Sequence, residues 1–361
     1  MAQDTRRGRR VTISDIAERA GVSKGAVSYA LNGRPGLSDA TRERILRIAR
    51  ELGWYPNSAA RSLSAARAHA CGLVLARPAR TLAIEPFFSE LIAGVESELS
   101  ARSVALTIQL TNDVESELEV YHRWWAERRV DGVLMVDLRL DDPRVAALEE
   151  LGLPAVVVGG PVEGGALPAV WHDEASVVVE VVQYLAALGH TRIARVAGLT
   201  GFVHTAARSE AFLEVTQSLE LSAQVVSTDF TPESGARATR QLLSQPEPPS
   251  AIFYDSDVLA VTGLGVAQQM GVAVPRDLSI VACDDSLLCQ VVHPPLTTVS
   301  RDISHYGAQA CRRLLAEIEE PGGGGDLETP RGELTPRGST GPVYVNGRPR
   351  ARAARRGRRS S

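Results

Sequence analysis

The sequence predicts an α/β protein with a small all-helical domain at its N-terminus, and three observations carry that prediction. Residues 11–53 hold helix-length apolar spacing and turns but no strand-like run. Residues 71 to about 320 alternate short apolar runs with longer amphipathic segments. The charge is segregated along the chain, so the two regions face different surroundings.

The chain has 361 residues, more than one compact core usually spans. With 44% hydrophobic and 23% charged residues it has the composition of a globular protein. The net charge of -4 conceals a balance of +7 over residues 1–68, +7 over the seven arginines of 348–359, and -18 between them. A basic end on an acidic body suggests a polyanionic partner at that end only. Lys24 is the only lysine among the 39 basic side chains counted as Lys plus Arg. Cys71, Cys283, Cys289 and Cys311 form no C-x-x-C pair. Reduced thiols are expected, with no zinc site, disulfide framework or other metal and no cofactor. "MAQDTRRGRR" leads into polar helix rather than an apolar signal core, and no run reaches the ~18 apolar residues of a membrane span. A cytoplasmic protein with no membrane partner is expected.

In the long middle region the candidate strands are "CGLVLA", "VALTIQL", "DGVLMVD", "PAVVVGG", "RIARVAG", "QVVSTDF", "SAIFYDS" and "LSIVACDD". Segments such as "FFSELIAGVESELSAR" and "VVVEVVQYLAALGH" separate them as helices. Strands apolar nearly throughout, alternating with helices, indicate parallel sheets covered on both faces. A break in regularity near 161–173 divides the units into two lobes, although a closed (β/α)₈ barrel has a compatible strand count. Ligands of open sheets bind beyond the carboxyl ends of the strands, which two lobes would bring face to face. From "PGGGG" at 321–325 onward a turn-rich tail is expected.

At the N-terminus, Thr12-Ile13-Ser14-Asp15 fits a capping box opening a helix that runs to Ala20. Gly21 supplies the turn, and Ser23 caps a second helix through Leu31. Ala26, Val27, Ala30 and Leu31 face inward, leaving Ser23, Lys24, Gly25, Ser28, Tyr29 and Asn32 outward. A third helix runs from near Ser38 to Gly53. This is helix-turn-helix spacing, with the second helix offered to a DNA major groove; a plain three-helix bundle uses the same packing pattern. After it, "NSAARSL" reads as a helix of about two turns, too short to be stable alone. Its Leu63 has no local apolar partner.

In these motifs the chain resembles the lactose-repressor (LacI/GalR) family. The resemblance runs through "VTISDIAERAGVS", "AVSYALNG", "SDATRERILRIARELGWYPN" and "ARSL", then "PFFSELIAGVE", "LGHTRIARVAG", "ARSEAF", "FTPESG", "DSDVLAVTGL", "GVAVPRDLSIVACDD" and "PPLTTV". It covers about residues 10–341 in family order. The implied organisation is a basic arm over 1–10, a helix-turn-helix domain over 11–56 and a hinge helix with linker over 57–68. A two-lobed, periplasmic-binding-protein-like core over 69–341 then takes effector and dimerises, and the arginine-rich tail over 342–361 is disordered.

The resemblance also implies roles. Lys24, Gly25 and Tyr29 match positions facing base edges, and Thr12, Ser23, Ser28 and Asn32 match phosphate contacts. Lys and Tyr can read bases, whereas Gly25 reads nothing through a side chain. Leu63, with Arg61 beside it, matches the hinge-helix wedge of the minor groove. Arg208, Asp257, Phe230, Phe88 and Asp285 are the implied effector-binding set, a guanidinium and carboxylates for hydroxyls and aromatics for an apolar face. Gly159 and Gly160 stand where many sugar-responsive relatives carry a polar residue, so the effector could be a sugar or a related metabolite.

The function implied is a transcriptional repressor that binds pseudo-palindromic operator DNA as a homodimer, with a tetramer left open, under control of a small effector. A solute-binding protein sharing the two-lobed fold is the alternative, but it would need a signal peptide and no DNA-binding headpiece. An enzyme is not expected. "PGGGGD" lacks the Gly-Lys-Ser/Thr of a P-loop, "GLG" at 263–265 lies in a helical pattern, and there is no G-x-S-x-G elbow.

Overall fold

The computed structural model describes residues 11–31, 33–54, 67–78, 82, 84–162, 167–345 and 348–349. They form two compact units divided between Ala68 and His69. No helix among the described residues is long and apolar enough to cross a membrane.

The first unit is three helices, α1 (Ile13–Ala20), α2 (Lys24–Leu31) and α3 (Asp39–Glu51). Asp15 accepts from the Thr12 backbone N–H at 2.8 Å and from its hydroxyl at 2.7 Å, starting α1 as its sequence anticipates. Ser38 caps α3 by accepting from Thr41 N at 3.3 Å. Ile16, Ala17, Ala20, Val27, Ala30, Ile45 and Ala49 form its core. Small alanines at the helix crossings let these short helices pack closely around two isoleucines and a valine.

The second unit contains two lobes of the same design. In the first are β1 (Ala70–Ala76), α4 (Pro86–Ala101), β2 (Ala105–Thr111), α5 (Val114–Ala126), β3 (Gly132–Val136), α6 (Pro143–Leu151), β4 (Ala155–Val158) and β5 (Ala169–Trp171). The second lobe continues with α7 (Glu174–Ala187), β6 (Arg192–Ala197), α8 (Val203–Ser218), β7 (Ser222–Ser227), α9 (Pro232–Leu243), β8 (Ala251–Tyr254), α10 (Asp257–Gln269), β9 (Ser279–Cys283), α11 (Leu287–Val291) and β10 (Thr297–Ser300). The chain then returns to the first lobe with α12 (Ile303–Glu319) and β11 (Leu327–Glu328), and goes back to the second with β12 (Glu333–Thr335).

Strand orders are β11-β5-β4-β3-β1-β2 and β12-β10-β9-β8-β6-β7. All pairings are parallel except that of β12 with β10. Both lobes are therefore doubly wound, with a switch point between the first and third strands of each. Central strands such as "GVLMV" and "SIVAC" are buried along their whole length, as parallel strands covered on both faces must be. A barrel is excluded by the two open sheets.

Three segments cross between the lobes, at 172–173, 301–302 and 329–332, and make the hinge. Near it, α4 and α12 cross closely. A Cβ at Gly94 would lie 1.9 Å from Ser304 O, and one at Gly307 would lie 2.2 Å from Leu91 O. Only glycine permits that approach.

The predicted α/β class with two parallel-sheet lobes is what forms, with three differences of detail. The irregular stretch 161–173 contains β5, and "PPLTTV" contains β10. These strands are short, and Thr297 and Thr298 are buried threonines rather than an apolar run. The expected turn-rich tail after 321 supplies β11 and β12, one strand to each sheet. Nor does order stop at 341: Val343 N donates to Leu188 O at 2.9 Å, and Tyr344–Val345 pairs with Arg348–Pro349 as β13 and β14.

Candidate functional site

Two surfaces carry the residues singled out by sequence, one on each unit. On the first, Val27 and Ala30 are buried, which turns the other face of α2 outward. Ser23, Lys24 and Gly25 are exposed, and Tyr29 is 44% exposed. Ser23 Oγ accepts from Ala26 N at 3.1 Å, so it caps the helix. A Cβ added to Gly25 would meet only Ser23 Oγ, at 3.7 Å, leaving the space before this turn open. Ser28 is half-buried and Thr12 exposed. Asn32, Arg61 and Leu63 lie outside the described residues.

The second surface is a cleft between the lobes. Residues one position beyond strand ends line it: Arg77 after β1, Asp137 after β3, Gly159 after β4 and His172 after β5 from the first lobe. Asp255 after β8, Asp284 after β9 and Arg301 after β10 face them. Asp137 and Asp284 adopt left-handed φ of 54° and 71°. Aspartate tolerates that conformation at modest cost, and here it turns the carboxylates into the cleft. Helix starts supply the rest: Glu85 immediately precedes α4, Glu174 and Asp257 begin α7 and α10, and Arg208 lies in the second turn of α8.

Arg77 is 6% exposed and central. Its Nε and Nη2 donate to Asp137 at 2.8 and 3.0 Å, and Nη1 donates to Glu85 at 3.0 Å. Its guanidinium also lies 5.1 Å from the ring centre of Phe88, 5.5 Å from Phe202 and 5.1 Å from Phe230, the last two on the opposite lobe. Phe230 has φ 63° and lies on Gly198, where a Cβ would fall 1.9 Å from the ring.

Across the cleft, Glu174 accepts from Arg208 Nε at 2.6 Å, from Arg301 Nη1 at 3.3 Å and lies 2.9 Å from His172 Nε2. Arg301 Nε donates to Asp284 at 3.0 Å. Behind this layer Arg195 and Asp255 form a fork-to-fork pair, both fully buried.

Burial alone raises a carboxyl, and for Glu174, Asp137 and Glu85 the outcome depends on how far the neighbouring guanidiniums offset it. For Glu174, burial is outweighed by Arg208, His172 and Arg301, which hold it well below the usual range. Asp137 is likewise lowered, because Arg77 outweighs burial. Glu85 is pushed up to about 7 by burial, which Arg77 only partly offsets and Asp137, Asp257 and Asp284 reinforce. Asp257 is 3% exposed and raised to about 6, chiefly by burial. Its Oδ1 accepts from Val258 N at 2.7 Å, while buried Oδ2 makes no well-formed hydrogen bond; the nearby Ser286 hydroxyl, itself without one, partly offsets the rise. His204, buried beside Arg208, falls to about 4 and is neutral near pH 7.

At the mouth the lobes touch. Leu140 N donates to Gly201 O at 3.0 Å, Val203 N donates to Leu138 O at 2.9 Å, and Arg139 stacks 5.4 Å from the Phe202 ring. The lobes are thus joined at the cleft mouth as well as through the hinge.

Of the five effector residues implied by sequence, Arg208, Asp257, Phe230 and Phe88 line this cleft. Asp285 does not. Its carboxylate accepts from both Arg337 Nη atoms, at 2.7 and 2.5 Å, and the left-handed turn at Asp284 sends that neighbour inward instead. Sequence reasoning passed over Arg77, Glu85, Asp137, Glu174 and Arg301, whose common signal is a charged residue just past an apolar run. No group of acidic, histidine or cysteine residues among those described could hold a metal.

Residues 12–57 match the profile of bacterial regulatory proteins of the lacI family, and residues 182–340 match the periplasmic binding protein-like domain. The HTH-type transcriptional regulator CelR of Thermobifida fusca is 34% identical over 324 residues, 87% of this chain and 95% of the relative. The chain belongs to the lacI family. The HTH-type transcriptional repressor CytR of Escherichia coli is a further LacI-family relative, 31% identical over 91% of this chain and 96% of its own.

Solved LacI-family structures agree. A complex of the transcriptional regulator CelR with cellobiose has a TM-score of 0.70 at 31% identity, covering 91% of this chain and 100% of that one. The Lac repressor dimer bound to operator and the anti-inducer ONPF has a TM-score of 0.81 at 25% identity, covering 92% and 100%. These LacI-family relatives are transcriptional regulators, and this chain is a transcriptional regulator of the same family.

Proposed function

We propose that this LacI-family regulator is a repressor that binds a pseudo-palindromic operator as a homodimer and takes a small effector, a sugar or related metabolite, between its lobes. The observation that carries the effector reading is Asp257, whose buried Oδ2 makes no well-formed hydrogen bond in a cleft also lined by Arg208 and aromatic rings. A buried polar atom without a partner is costly, and a ligand hydroxyl placed there relieves the cost. Similarity to a CelR–cellobiose complex supports a sugar.

On the headpiece, Lys24 and Tyr29 read base edges, with Gly25 contributing none. Thr12, Ser23, Ser28 and Asn32 hold phosphates, and Leu63 with Arg61 enters the minor groove. Dimer symmetry mirrors operator symmetry, in keeping with similarity to a repressor dimer on its operator. Effector occupancy changes the lobe arrangement and with it operator affinity, by a coupling of roughly 1–3 kcal/mol.

The test is selection of DNA from a random library with the full chain, followed by gel shifts of the enriched site with and without sugars. A two-fold symmetric site whose retention changes with one sugar is expected. Enrichment of no symmetric site would sink the operator reading, and indifference to every small metabolite would sink the effector reading.

A further inference from the structure

The cleft's arginines are already committed. Arg77 spends Nε, Nη1 and Nη2 on Asp137 and Glu85. Arg301 likewise directs its donors to Asp284, Glu174 and His172. Arg208 gives Nε to Glu174 and Nη1 to the Asp255 carbonyl at 3.3 Å. Against these three lining guanidiniums stand six lining carboxyl groups, Asp137, Glu174, Asp255, Asp257, Asp284 and Glu85, the last about half protonated near pH 7. Arg195 behind Asp255 adds one further cation. The positive N-terminal end of α10, a place where an anion could otherwise bind, is taken by the Asp257 carboxylate itself. His204 brings no charge near neutral pH.

What the cleft offers a ligand is therefore acceptors rather than cations. Resting on the effector reading above, we propose that it selects a ligand rich in hydrogen-bond donors and free of negative charge, a polyol or an amino-polyol, and rejects sugar acids and sugar phosphates. An entering anion would meet surplus carboxylates at low dielectric, with each guanidinium already neutralised. An entering hydroxyl or ammonium gives Asp257 Oδ2 the well-formed hydrogen bond that the neighbouring Ser286 hydroxyl does not make. Glu85 and Asp257 are themselves displaced upward, chiefly by burial, with neighbouring carboxylates adding to it.

The experiment is titration calorimetry of the full chain with matched neutral and anionic ligands: glucose and glucuronic acid, cellobiose and cellobionic acid, adenosine and its 5′-phosphate. Glucosamine provides a cationic member. The expected result is that at least one neutral or cationic compound binds, with its acidic counterpart weaker by roughly 100-fold or more. Asp284→Asn should narrow that gap by making the cleft less acidic. An acid or phosphate binding as tightly as its neutral counterpart would overturn the proposal while leaving the effector reading intact. Absence of binding by every compound at millimolar concentration would overturn both.

Discussion

The guanidinium of Arg77 in the first lobe stands 5.1 Å from the ring centre of Phe230 in the second. The same group neutralises Asp137 and Glu85, so one side chain serves both the charge balance of the cleft and its closure. Removing it leaves two buried carboxylates without their cation. Arg77→Ala should lower unfolding stability by about 3–5 kcal/mol, the usual cost of breaking a buried pair. Arg77→Lys keeps the charge but loses the fork, and should cost less. Urea unfolding decides it; a loss below about 1 kcal/mol for the alanine variant would place the pair among weak surface bridges instead.

Asp257 is the carboxylate with an unmet acceptor, and its pKa rises from 3.8 to about 6. A carboxyl raised in the folded state holds its proton longer than in the unfolded chain. It therefore removes stability as pH climbs from about 4 to 6. Asp257→Asn retains an oxygen for the Val258 N–H and carries no charge. It should match the parent's pH-dependence below pH 4 and become relatively more stable by roughly 3 kcal/mol above pH 6. Glu85 acts with the same sign between 4.5 and about 7. Asp137 and Glu174 are lowered and act oppositely, losing stabilisation on acidification. Thermal unfolding of the asparagine variant across this range tests the sign; a gap that shrinks with rising pH refutes it. The same variant should bind the effector more weakly.

Phe202 joins the two sides of the cleft mouth, beside the backbone bonds between 138–140 and 201–203. Arg77 and Arg139, both from the first lobe, lie 5.5 and 5.4 Å from its ring. Each such contact is worth roughly 0.5–2 kcal/mol. Phe202→Ala should therefore shift the lobes toward separation, enlarging the radius of gyration in small-angle scattering. An unchanged scattering profile would mean that the backbone bonds alone hold the mouth.

Much of this architecture was legible because parallel strands buried on both faces declare themselves as apolar runs. Where strands are short and rich in threonine, as at Thr297–Ser300, or only two or three residues long, as at Leu327–Glu328 and Glu333–Thr335, no run exists to read. The site was legible where residues lie in recognisable helical strings, as with Arg208 in "ARSEAF" and Asp257 in "DSDVL". Arg77 was not, since a lone arginine after a strand looks like a solvated charge until the aromatic rings of two lobes enclose it. Asp284 and Asp285 are adjacent, and what sends only the first into the cleft is a left-handed φ of 71° that the sequence does not announce.

Lys24 is the chain's single lysine and begins α2, with its side chain exposed. Gly25 beside it leaves open space, so on the proposed operator reading the side chains of this face left to read bases are Lys24 and, one turn on, the exposed Tyr29. A base-reading lysine and a phosphate-binding lysine differ in what their loss does. Lys24→Ala should relax discrimination at one base pair in each half-site by about 1–3 kcal/mol, while affinity for operators altered elsewhere keeps its ranking. Competition binding against a panel of singly substituted operators measures this directly. A loss equal for all operators, with a salt dependence shallower by about one counterion, would assign Lys24 to the phosphate backbone instead.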